Sequence, residues 1–133
     1  MRIVRLILRW ILVAFFIVAG VNHFRTPAIY YGMMPAWVTW PVTTNVLVGL
    51  GEILGGAGMF FPATQRLAGW GLIVLLAAIF PANVHVALLG KMPGTDFSPV
   101  ILWLRLPFQA LFIAAVWWLA VKRHPEDRES NWS

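Results

Sequence analysis

Asn22, His23, Asn45, Glu52, Asn83, His85, Arg105 and Gln109 are the residues of this chain with chemistry to offer, and each lies inside or at the edge of a strongly apolar segment. Arg25 stands at the margin of the same set. Hydrocarbon tolerates such groups poorly, so each must face a partner or a wet cavity. A carboxylate and histidines at one depth can carry protons. Two neutral imidazoles on different segments, His23 and His85, could also ligate haem iron axially. No residue spacing enforces that ligation, so hydrogen-bonded structural histidines are the simpler assignment and no metal site is expected.

Spacing sorts these residues by face. Asn45, Gly49, Glu52 and Gly56 follow an i, i+4, i+7, i+11 pattern and share one helical stripe. Arg105 and Gln109, at i and i+4, also share a face. A straight helix sets Asn83 and His85 about 200° apart, so one of them would point away from a common centre. Pro81 weakens that objection, because proline removes a helix hydrogen bond and frees the carbonyl of Ala77. Pro107 does the same for Trp103. The most economical pairing is Glu52 with Arg105, a histidine close by. A lone carboxylate at depth would take up a proton, whereas a guanidinium cannot lose one. The competing reading is an ion pair that only locks helix register.

The elements that must carry these residues are membrane spans. Of the 133 residues, 60% are hydrophobic and 11% charged, a composition of integral membrane proteins rather than of soluble domains. Spans are expected at about residues 3–24, 43–61, 65–89 and 99–121, the third interrupted by Pro81. Between the first two lies a linker, Thr26 to Thr44, with Pro27, Pro35 and Pro41 and the aromatics Tyr30, Tyr31, Trp37 and Trp40. Such aromatics sit at headgroup level, and a short interfacial helix is expected near Ala28 to Gly32. The predicted fold is therefore all-α, a four-helix transmembrane bundle with an interfacial segment between helices one and two. Residues 1–121 form one domain, and residues 122–133 form a polar, disordered cytoplasmic tail.

The net charge of +5 does not indicate nucleic acid. The basic residues flank apolar spans, at Arg2, Arg5 and Arg9 and at Lys122 and Arg123, where they set topology and meet lipid headgroups. With the N-terminus inside, Arg66 and Arg128 join them, and the outer face keeps only Arg25 and Lys91. Both termini are thus expected in the cytoplasm, and a multi-pass protein of a bacterial inner membrane is the expected setting. In that orientation the polar residues gather in the outer half of the bilayer, Glu52 about 10 Å deeper than Asn45 at 1.5 Å rise per residue. The inner halves look dry apart from Arg9. Cysteine is absent, which excludes disulfides and thiolate metal sites. No phosphate loop, nucleophile elbow or zinc-protease motif occurs. The glycines Gly49, Gly51, Gly55, Gly56 and Gly58 let helices approach closely, either within the chain or in a homo-oligomer.

The segments GVNHFRTPAIYYGMMPAW (Gly20 to Trp37), GLGEILGGAGMFFP (Gly49 to Pro62), RLAGWGL (Arg66 to Leu72), FPANVHVAL (Phe80 to Leu88) and WLRLPFQ (Trp103 to Gln109) resemble the DoxX family of small membrane proteins. The likeness runs from about Arg5 to Trp118 and contains the polar residues themselves. It implies a four-helix transmembrane bundle and a link to respiratory or redox enzymes. An accessory or structural subunit of a membrane redox system, with a partner protein there, is the leading expectation. A quinone-linked oxidoreductase subunit comes second: Arg105, His85 or Gln109 would bond quinone carbonyls, and Glu52 would carry a proton. A small transporter or channel is third. These readings differ in what they require. Quinone needs an apolar slot open to lipid beside the polar cluster. A merely structural cluster would be closed and fully hydrogen-bonded, and a transporter needs water access from both sides.

Overall fold

Proline and glycine punctuate the chain where the helices begin and end. In the computed structural model, which describes residues 1–129, Pro27, Pro41 and Pro99 each open a helix, where a missing N–H costs nothing. Gly90 closes another with φ of 71°, a left-handed turn that a side chain would strain. The helices are α1 (Arg2–Arg25), α2 (Pro27–Met33), α3 (Pro41–Phe60), α4 (Gln65–Leu89) and α5 (Pro99–Val116). A π-helical turn, Trp117–Val121, continues α5, and a last short helix, α6, covers Glu126–Glu129. No strand occurs among the described residues. Four of these elements, the last being α5 with its π turn, are long and apolar enough to cross a membrane. At 20 residues even α3 reaches about 30 Å, the thickness of the hydrocarbon core. The protein is a multi-pass, all-α membrane bundle.

The neighbours run α1, α3, α4, α5, each packed along the next. The last seam, between α5 and α1, is weak. It closes chiefly where Phe15 stacks on Phe112 at 4.6 Å. At the end that carries both termini, the interior is solid: Leu12, Val13, Phe16, Met59, Leu72, Leu76, Val116 and Leu119 form one buried cluster. At the other end, α2 and the turn after α4 add Met33 and Met92 to a smaller cluster with Val86, Ala87 and Leu102.

Glycine decides how close α1 and α3 lie. A Cβ on Gly20 would meet the Gly49 carbonyl oxygen at 2.7 Å, and one on Gly49 would meet the Gly20 carbonyl oxygen at 3.1 Å. Small residues at such crossings bring backbones into contact, the main source of helix association in lipid. Gly51, Gly55 and Gly58 face Leu75, Leu72 and Ala68 of α4 in the same way. The glycine rows of α3 thus pack against α1 and α4 inside the chain.

Two expectations are corrected. Pro81 does not interrupt the third span, because α4 runs unbroken from Gln65 to Leu89 with Pro81 inside it. The departure from α-helix falls in span four instead, at the π turn Trp117–Val121. The tail is not disordered throughout, since its described part folds back on the bundle. There Arg5 Nη2 donates to Glu126 at 2.7 Å and His124 Nε2 lies 2.9 Å from the Trp118 carbonyl. Glu126 is largely exposed, so Arg5→Ala should shift stability by less than about 1 kcal/mol, checked by thermal melting in detergent. The part of the tail expectation that concerns residues 130–133 lies outside the described residues.

Candidate functional site

His23 stands in the last turn of α1, where its carbonyl has no helical donor, because the residue four positions on is Pro27. Asn45 of α3 supplies that donor: its Nδ2 bonds the His23 carbonyl oxygen at 2.8 Å. The same side chain turns its Oδ1 to His23 Nδ1 at 2.7 Å. Gly49, midway between Asn45 and Glu52 on the stripe, gives the room, since a Cβ there would lie 2.9 Å from that of His23. The ring's other nitrogen, Nε2, then reaches Glu52 Oε2 at 3.4 Å, ion-pair distance without hydrogen-bond alignment. Tyr30 of α2 covers the imidazole face, the ring centres 3.7 Å apart and 21° from parallel. Asn22 Nδ2 reaches the Tyr30 hydroxyl at 3.4 Å. Burial pushes the Tyr30 phenol above its ordinary range, with nearby Glu52 adding to the effect and Asn22 and Arg105 opposing it. Tyr30 therefore keeps its O–H through neutral pH, and a tyrosinate absorbance titration should show it ionising late.

A second polar group sits between α4 and α5. Asn83 Nδ2 donates to Gln109 Oε1, and Gln109 Nε2 donates to the Leu76 carbonyl. Both ends of the Gln109 amide are thereby engaged. His23, Asn45, Glu52, Asn83 and Gln109 are all buried. His85 is not among them. It turns to the far side of α4, beneath Pro35, Ala36 and Trp37. The unbroken helix keeps it on the opposite face from Asn83. With His85 elsewhere, the two-histidine haem geometry is not formed, and no group of three or more metal-ligating side chains occurs among the described residues.

The Glu52–Arg105 pair does not form. Glu52 is paired with His23, and Arg105 Nη1 donates to the Met92 sulfur at 3.1 Å. Met92 lies in the Lys91 to Ser98 turn, which reads as polar, yet the folded chain buries it at 6% exposure. Arg105 is half-buried and its guanidinium has several donors beyond the one on sulfur.

These groups surround a cavity of about 590 Å³. His23, Glu52, Asn83, Arg105 and Gln109 line it, with Tyr30 at the rim. The rest of the wall is apolar and aromatic apart from Thr39 and Thr44, and the Met34 to Trp40 loop covers it. Beyond the Phe15–Phe112 stack it is bounded by Ala19 of α1 and by Phe108 of α5, which is 54% exposed. Toward the termini it stops at Phe16, Leu76 and Phe112. Inside the wall one atom stands out: among the described buried side chains, Glu52 Oε2 alone lacks a hydrogen-bond partner. The sequence points to Glu52 and His23, but Tyr30, Met92 and the phenylalanine wall were not legible as site residues. Tyr30 carries the one usable signal, an aromatic four residues past a prolonged polar segment at the end of span one.

Fold and site together define a four-span helical membrane protein with a partly polar cavity at the end opposite its termini. The chain belongs to the family described as Domain of unknown function (DUF8561), whose model matches residues 12–120. That stretch contains every side chain of the cavity and omits the tail. Comparison with curated proteins and with solved structures gives no match.

Proposed function

We propose that this protein is a membrane subunit that takes up a small, lipid-soluble molecule with a polar head and serves a membrane redox system by doing so. Glu52 is the observation that supports the reading. Glu52, at 5% exposure and with one carboxyl oxygen, Oε2, that nothing donates to, lines a cavity bounded by α1 and α5. A buried acceptor left bare costs about 1–3 kcal/mol, more when charged, so this oxygen calls for an explanation such as a bound donor. A cluster that only locked the helices would be closed and fully hydrogen-bonded. The DoxX resemblance contributes the redox link and makes a quinone the first molecule to seek, with Arg105 bonding a carbonyl and Glu52 handling a proton. His85 drops out of that set because it faces away. A partner protein of the same membrane system belongs to this reading, and so do a bacterial inner membrane and cytoplasmic termini, on the strength of the Lys and Arg distribution. The solid apolar cluster at the termini end opposes a channel.

Extraction in mild detergent, followed by mass spectrometry of the organic extract, tests the proposal. The native protein should retain a lipid-soluble molecule in near-stoichiometric amount, and Glu52→Gln and Arg105→Ala should lose it while keeping their helical content. A native protein that carries no such molecule but holds a protein partner reproducibly would return the cluster to a structural role in an accessory subunit.

A further inference from the structure

We infer that the molecule bound in the cavity presents a hydroxyl hydrogen to Glu52, so that the site takes phenol-type heads and discriminates against the same heads with their O–H blocked. The inference rests on the ligand-binding reading above and names the chemistry of its head.

The hydrogen-bond roles follow from one group that cannot change its own. The His23 carbonyl only accepts, so the Asn45 amide must turn its nitrogen to it. That orientation leaves Asn45 Oδ1 facing His23 Nδ1, and an amide oxygen also only accepts. Nδ1 therefore carries the hydrogen. Nε2, 3.4 Å from Glu52 Oε2, holds either a lone pair or a second hydrogen. A lone pair against a carboxylate anion is repulsive, so the couple keeps one further proton, on the ring or on the carboxyl group. In the first case Glu52 is an anion and accepts only. In the second its single hydrogen has Nε2, at 3.4 Å, as the nearest acceptor, and the carboxyl group keeps capacity to accept. Both states offer the cavity an acceptor at Glu52.

The other polar side chains do not answer that acceptor. Gln109 is committed at both ends, to Asn83 and to the Leu76 carbonyl. Arg105 has donors to spare but donates to Met92 rather than to Glu52. The wall thus offers a bare acceptor at Glu52 and spare donors at Arg105, with Tyr30, Thr39, Thr44 and Asn83 as its other uncharged polar groups besides Gln109. A head with acceptors alone would satisfy Arg105 and leave the carboxyl group bare. A head with a hydroxyl satisfies it, and the same oxygen or a neighbouring one can accept from Arg105. The aromatic wall of Phe15, Phe16, Tyr30, Phe108 and Phe112 suits a ring as the carrier of that hydroxyl.

The test compares para-nonylphenol with its methyl ether, which keeps the ring, the tail and the oxygen and replaces the donated hydrogen with a methyl group. Each is partitioned between nanodiscs with and without the protein, which cancels their difference in lipid solubility. The native protein should enrich the phenol over the ether by about tenfold or more, the factor expected for one hydrogen bond to a charged or proton-sharing acceptor. Glu52→Met should bind the two alike, and Glu52→Gln should fall between. If both variants fail to fold, the native ratio alone decides. Equal enrichment of phenol and ether in the native protein would overturn the hydroxyl inference and leave the cavity as a binding site. Enrichment of neither would overturn the binding reading itself.

Discussion

Gly20→Ala is expected to destabilise the bundle by about 1–3 kcal/mol or more, for a single added carbon. That carbon would meet the Gly49 carbonyl oxygen at 2.7 Å, the Ile53 backbone nitrogen at 2.9 Å and Ile53 Cγ1 at 2.6 Å. Two of these three atoms are backbone, which cannot rotate aside as a side chain could. The helices must separate instead, and α1 carries His23 only one turn further on. Separation draws the imidazole away from both Asn45 and Glu52, so the loss of stability should bring a loss of bound ligand with it. Gly71→Ala is the control. A Cβ there meets nothing within 4 Å, and alanine favours helix over glycine by about 0.5–1 kcal/mol. Thermal unfolding in detergent should therefore show Gly20→Ala melting well below the native protein and Gly71→Ala at or slightly above it. A Gly20→Ala protein that melts like the native one would mean that α1 and α3 do not touch backbone to backbone.

Asn45→Leu is expected to have an effect of similar size by a different route. The two side chains are close in shape, so the packing between α1 and α3 survives. Two buried groups on one residue lose their partner, the His23 carbonyl and the His23 Nδ1–H. Each left bare costs about 1–3 kcal/mol. The carbonyl is the harder of the two to rescue, because Pro27 offers no N–H in its place. The histidine also loses the group that holds its hydrogen on Nδ1. Nitrogen NMR of labelled histidine should report the Nδ1–H form or the imidazolium for His23 in the native protein. In Asn45→Leu the Nε2–H form should appear, since the ring can then donate directly to Glu52. A native His23 found as the Nε2–H form would break the assignment of roles on which the hydroxyl inference stands.

The spans, their order and the shared stripe of Asn45, Gly49, Glu52 and Gly56 were legible because they are local. They depend on twenty or so consecutive apolar residues and on the helical repeat, both written directly in the chain. The interfacial helix was legible for the same reason, from Pro27 and the aromatics after it, and it forms as Pro27–Met33. Pro81 misleads because a proline reports a missing hydrogen bond, and α4 accommodates that loss without breaking. The pairing of Glu52 was not legible. Charge complementarity selects Arg105 as the natural partner, but it ignores where the helices cross.

By itself the sequence determined that this is a four-span membrane protein, that its polar residues collect toward one end, and that thiol chemistry is closed to it. Only the tertiary structure decided which of those residues meet. The Gly20–Gly49 contact brings α1 close enough for His23 to enter the gap between Asn45 and Glu52. The helix phase of α4 admits Asn83 and turns His85 away. The turn after α4 folds Met92 under Arg105 and removes that cation from Glu52. The reason is common to all three. Hydropathy is a property of single residues and survives in any arrangement, whereas a contact between helices depends on crossing distances set by a few small residues far apart in the chain.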